Sequence, residues 1–176
     1  MLLESHLIDN CIALLEQARD LLEQIDDDLY SQTNLLSPRG SIGGHLRHCL
    51  DFYQSFISGV PKGRIDYNLR RQDPRIEEDR GYARKKLDET IGPLRAISSV
   101  SLNGILLVST EDCGQSLPSW CTSSIARELE FLQSHSIHHY SLIAMLVRLQ
   151  GFEPGAHFGV APSTMQHWRE LSACAQ

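Results

Sequence analysis

The stretch Ser134-His135-Ser136-Ile137-His138-His139 decides how this chain is read. It lies in an apolar run where Leu129, Leu132, Ile143, Leu146 and Leu149 recur at helical spacing. That spacing predicts a helix from Ser123 or Ser124 to about Gln150, with Gly151 as its C-cap. Residues four apart in a helix differ by about 40° around the axis and about 6 Å along it. His135 and His139 then point the same way, and their rings can share one metal ion. A third ligand must come from elsewhere. The segment Ile42-Gly43-Gly44-His45-Leu46-Arg47-His48 supplies candidates.

Outward from this stretch the chain reads as helices. Leu7, Cys11, Leu14, Leu15, Ala18, Leu21, Leu22, Ile25 and Leu29 form a wide apolar stripe, which predicts helix one from about Leu3 to Tyr30. Ser41 is placed to cap helix two, which runs to about Ser58 and is ended by Gly59 and Pro61. Gly43 and Gly44 in its first turn suggest close backbone approach by a neighbour. Asp73-Pro74 is an N-cap followed by a proline at the first helical position. It opens helix three, and Gly92-Pro93 is expected to kink that helix or end it early. Val100 to Val108, around Asn103-Gly104, reads as a short hairpin between helices three and four. The tail from Phe152 to Thr164 reads as irregular, with a helical turn near Met165 to Leu171. Four long amphipathic helices predict an all-α fold, a four-helix bundle, in a single domain spanning residues 1–176. The long links argue against a simple up-down-up-down meander.

Composition narrows the function. The net charge is −6, and no concentrated basic surface is visible, which argues against nucleic acid as a partner. Arg64, Arg70, Arg71 and Arg75 are followed at once by Glu77, Glu78 and Asp79, an alternation that reads as a solvated face. The longest clean apolar run, Leu142 to Val147, is too short to span a bilayer. The first residues carry no basic leader before an apolar run. The five cysteines are scattered without a C-x-x-C pair, and Cys113 and Cys121, which flank a loop, read as free thiols. The expectation is a cytoplasmic protein with no membrane partner.

Five of the eight histidines fall into two clusters on long helices. Burying so many polar rings without partners is costly. Imidazole is a neutral nitrogen ligand suited to Zn, Ni or Fe as divalent ions. Three protein ligands plus water is the pattern of a catalytic zinc site. Glu128, seven residues before His135, lies about 20° off the same helix line. It is a candidate fourth ligand, hydrogen-bond acceptor for an imidazole, or base, against the plainer reading of a surface carboxylate paired with Arg127 or Arg148. Asp51, three residues after His48, is a candidate orienter of a ligand, against plain solvent exposure.

The motif Ile42-Gly43-Gly44-His45-Leu46-Arg47-His48 resembles the "IGxxLxH" start of helix two in the DinB/YfiT-like metalloenzyme superfamily. Arg127-Glu128-Leu129 with His135-Ser136-Ile137-His138-His139-Tyr140 resembles the "REL…HxxHH" of its fourth-helix region. Asp66-Tyr67-Asn68-Leu69-Arg70-Arg71, Glu77-Glu78-Asp79 and Phe158-Gly159-Val160-Ala161-Pro162-Ser163-Thr164 are similar to segments of one subgroup. The similarity covers most of the chain in order. It implies an up-down-down-up bundle and a three-histidine metal site, with the helix-two ligand on His48 rather than His45 and the helix-four pair on His135 and His139. His138 then faces another helix or the cleft rim. Homodimers are common for this architecture by analogy.

The leading expectation is a metal-dependent transferase that activates a low-molecular-weight thiol toward an electrophilic small molecule. Arg70, Arg71 or Arg127 would bind carboxylates of the thiol cofactor, since guanidinium suits that geometry. Tyr67 and Tyr140 would line the cleft. A hydrolase with Glu128 as base is the second option. A non-catalytic, metal-stabilised binding or stress-response module is the third.

Overall fold

The computed structural model describes residues 2–33, 40–97, 102–109 and 119–174. Its described elements are seven helices and a three-stranded mixed sheet. The expected four-helix bundle, up-down-down-up and DinB-like, is therefore corrected. Two predicted helices break in two, the last helix is longer than a turn, and a sheet is built where loops and one local hairpin were expected.

The first break follows α1 (Leu2–Gln24). Asp26 adopts an extended backbone, and its carboxylate accepts the Leu29 N–H at 2.8 Å, starting α2 (Asp27–Ser31). A local cap thus overrides the continuing apolar stripe. Arg80 holds the break from outside, donating to the Leu22 carbonyl at 2.5 Å and to Asp27 at 2.6 Å. Helix α3 (Ile42–Gly59) begins as expected, with Ser41 accepting the Gly44 N–H at 2.9 Å. The second break falls within predicted helix three. Asp73 caps α4 (Pro74–Glu78), and Asp79 then ends α4 and caps α5 (Arg80–Ala96) through the Tyr82 N–H at 2.8 Å. Pro93 lies inside α5 rather than ending it.

The sheet orders β1 (Arg64–Asp66), β2 (Ile105–Ser109) and β3 (Trp120–Ser124) side by side. β1 runs parallel to β2, with Ile65 opposite Val108, and β2 runs antiparallel to β3, with Leu107 opposite Thr122. Of the hairpin expected from Val100 to Val108, the first residues lie outside the described ones. Ile105–Ser109 pairs with β3, a segment farther along the chain. Ser124 then caps α6 (Ile125–Leu149). After it, Gly151 turns the chain at φ +82°, and Phe152 N–H reaches the Val147 carbonyl at 2.9 Å. α7 (Pro162–Cys174) closes the described chain, longer than the single turn predicted.

Helices α1, α3, α5 and α6 pack around one core in which Leu15, Leu22, Tyr53, Phe56, Leu87 and Leu129 are all fully enclosed. A Cβ on Gly43 would overlap the Glu77 carbonyl and the Tyr30 ring, so glycine permits α2 and α4 to close on the first turn of α3. Tyr30 also donates its hydroxyl to the Ile76 carbonyl. These contacts fix the N-terminal half of α3, which faces α6 and carries half of the site. No helix among the described residues is long and apolar enough to cross a membrane.

Candidate metal centre

α3 and α6 pack against each other and present their histidines to one another. On α3, His45 and His48 lie one turn apart. On α6, His135 and His139 do the same, following the four-residue spacing. Ring centroids are 4.9 Å apart for His48 and His135, 4.7 Å for His48 and His139, and 4.6 Å for His135 and His139. One ligand nitrogen of each of the three lies within 4.8 Å of the others, which makes this cluster a candidate metal-binding site. A zinc–imidazole bond of about 2.0–2.1 Å in a tetrahedral shell needs nitrogens about 3.3 Å apart. Small side-chain rotations close that difference.

The residues fit a cation for two further reasons. His135 Nε2 is buried and has no hydrogen-bond partner, an uncompensated lone pair or proton in the protein interior. His135, His139 and His45 are also held neutral. Burial, then the neighbouring histidines, pushes His135 down to about 4 and His139 to about 3. Burial, then His138, lowers His45. Neutral imidazole offers the lone pair that a metal requires.

His45 is the fourth ring. Its Nδ1 lies 2.9 Å from Nδ1 of His139, so one nitrogen donates and the other accepts. That bond leaves Nε2 of His139 as its nitrogen free for an ion. His138 is exposed at the rim, 5.2 Å from the His139 ring. Aromatic rings shield the other side. Phe52 packs 4.5 Å from His135 and 5.0 Å from His48, and Phe131 lies 5.4 Å from His135. The sequence reading gave Phe131 no role. Its position four residues before His135 was the available signal, because that spacing puts it on the same helix face.

The other expected site residues are distributed around this centre. Arg70 stacks over Phe52 at 4.4 Å and donates to the Tyr67 carbonyl at 2.5 Å, while its charge bears on His135. Arg71 and Arg127 are exposed. Tyr67 is buried, and its hydroxyl donates to Glu128 at 2.9 Å. Burial and the Glu128 carboxylate hold that hydroxyl well above the ordinary tyrosine range. Glu128 is buried rather than at the surface, and its second oxygen accepts from Ser123 at 2.5 Å. It stands about 10 Å along α6 from His135, and Arg148 pairs with Glu153 instead. Asp51 is buried and pairs with Arg47 at 2.9 Å. Arg47 also reaches Glu77 at 3.0 Å. Tyr140 is enclosed in the core, stacked on Phe158. Cys11 and Cys49 are buried free thiols, with Cys11 pushed up to about 12 by burial, and Cys121 is exposed. Cys113 lies outside the described residues.

No protein-family model matches the chain. The chain is similar to FK506-binding protein 5 of Rhizopus delemar, at 28% identity over 163 residues, which is 91% of this chain and 37% of that protein. It therefore spans a little over a third of the curated relative's length.

Proposed function

We propose that this protein is a metal-dependent enzyme in which His48, His135 and His139 hold a divalent ion, and that its reaction is transfer of a small thiol to an electrophilic molecule. The observation that carries the reading is the convergence of three imidazoles from two helices, with a buried His135 nitrogen lacking any other partner. A zinc, nickel or iron ion in such a three-nitrogen shell supplies Lewis acidity that lowers the pKa of a thiol or water. His45 fixes the ring of His139, and Phe52 and Phe131 keep water from one side of the centre. Arg70, stacked beside the centre, suits a carboxylate of the thiol.

The position of Glu128 favours transfer over hydrolysis. Both of its oxygens are engaged by hydroxyl groups, two helical turns from His135, so the base that a hydrolase would need is committed elsewhere. The same engagement keeps Glu128 out of the cluster of ligand nitrogens. A three-residue shell leaves coordination positions for substrate, unlike the closed shell of a structural site. The ligand named for the fungal relative plays no part in this reading.

Two measurements test it. Elemental analysis of the untagged protein is expected to give about one divalent ion per chain, lost in His48→Ala and in His135→Ala. Equal trace metal in all three proteins would remove the site. The loaded protein is then offered glutathione with chlorinated or epoxide acceptors. Thioether product is expected, and hydrolysis of the acceptor without thiol consumption would replace transferase with hydrolase.

A further inference from the structure

At least eight of the sixteen lysines and arginines have a carboxylate within ion-pair distance. Arg84 reaches Glu23, Lys86 reaches Glu89, and Arg148 reaches Glu153. Six others, Arg95, Arg127 and Arg169 and the trio Lys62, Arg64 and Arg71, are different. None has an ion-pair partner among the described residues, although the chain as a whole carries a net charge of −6. Of these six, only the trio Lys62, Arg64 and Arg71 gathers around one groove. It consists of two adjoining depressions of about 340 and 350 Å³ that share Ser55, Ser58, Lys62 and Leu69. Arg64 and Trp120 extend it on one side and Arg71 on the other.

The acidic lining does not cancel these charges. Asp51 is buried and already paired with Arg47. Asp66 remains, and it accepts the Asn68 N–H at 2.9 Å. The groove therefore keeps a net positive charge. It also offers apolar surface, since Leu69 is 78% exposed and Trp120 is 38% exposed. Exposed cations without partners and an exposed leucine beside a tryptophan are what a ligand with acidic ends and an apolar body would cover. The volume falls in the range of small-molecule sites.

We propose that this groove binds a small organic dianion, its acid groups on Arg71 and on Lys62 with Arg64, and its apolar body against Leu69 and Trp120. The groove runs along α3 from the turn that follows His48. It stands without the metal centre, because none of its lining residues is a proposed ligand.

The chain has two tryptophans, so Trp168→Phe leaves Trp120 as the reporter. This variant, stripped of metal with EDTA, is titrated with α,ω-dicarboxylates of four to ten carbons, with octanoate and with octane-1,8-diol. Saturable change in Trp120 emission is expected with at least one diacid, weaker with octanoate and absent with the diol. Adding Lys62→Gln and Arg71→Gln is expected to weaken the diacid at least tenfold. Arg84→Gln with Lys85→Gln, which changes net charge equally at another site, is expected to leave it unchanged. An equal response to the diol, an equal loss in both charge variants, or no response to any diacid would overturn the proposal. Loss of metal binding in the histidine variants would not bear on it.

Discussion

At the scale of single residues, the centre separates groups that would bind an ion from groups that would hold the binders. His45 bonds to His139 through Nδ1, so its removal should loosen His139 without deleting a ligand. His45→Ala is expected to weaken metal binding by about 10–100-fold, the usual effect of losing a partner that orients a ligand. His48→Ala should abolish stoichiometric binding, and competition with a chelator of known affinity distinguishes the two. If His45→Ala were the more damaging change, the α3 ligand would be His45. Asp51 gives a prediction in pH. Burial, opposed by Arg47 and Arg70, raises its carboxyl to about 6. The folded state thus holds the proton more tightly than the unfolded chain does. The stabilisation from that proton is full below the ordinary carboxylate range and is lost as pH rises through about 6. Asp51→Asn is accordingly expected to gain stability relative to the parent between pH 5 and pH 7.5, measured by urea unfolding at each pH. A constant difference across that window would refute the assignment.

At the scale of elements, caps decide where helices begin. Ser41 is buried and satisfies the first turn of α3. Ser41→Ala should cost about 1 kcal/mol, read as a lower urea midpoint with an unchanged slope. Gly43→Ala should be worse, because its methyl would meet the Glu77 backbone and the Tyr30 ring, and backbone cannot rotate away. Since α3 carries His45 and His48, that variant is also expected to bind metal less tightly, whereas Ser41→Ala should not. The caps Ser41 and Asp73 were readable from the sequence because a cap is a local event, while the start of α6 was narrowed only to Ser123 or Ser124. The breaks at Asp26 and Asp79 were missed for a related reason. Each aspartate caps a helix inside a run whose apolar periodicity continues across it. β2 overlaps the hairpin expected over Val100 to Val108, whereas β1 and β3 escaped detection because they span three to five residues, too few for alternation to show.

At the scale of the whole molecule, an ion shared by α3 and α6 would tie together two helices that already pack across the core. Free ion at about 100 times its dissociation constant should stabilise the fold by about 2.7 kcal/mol, through binding to the native state alone. The same addition should leave the melting temperature of His135→Ala unchanged. A variant that gains as much as the parent would place the ion elsewhere.

The amphipathic helices, the caps at Ser41 and Asp73, and the pairing of His135 with His139 were written in the sequence, because each depends on residues within a few positions of one another. The architecture was not, and neither were the surroundings of the histidines. Burial of Glu128 between Tyr67 and Ser123, the bond from His45 to His139, the parallel pairing of β1 with β2 and the gathering of unpaired cations around Leu69 all join residues distant in the chain. Such contacts depend on how the elements pack, and periodicity along one helix carries no record of its neighbour.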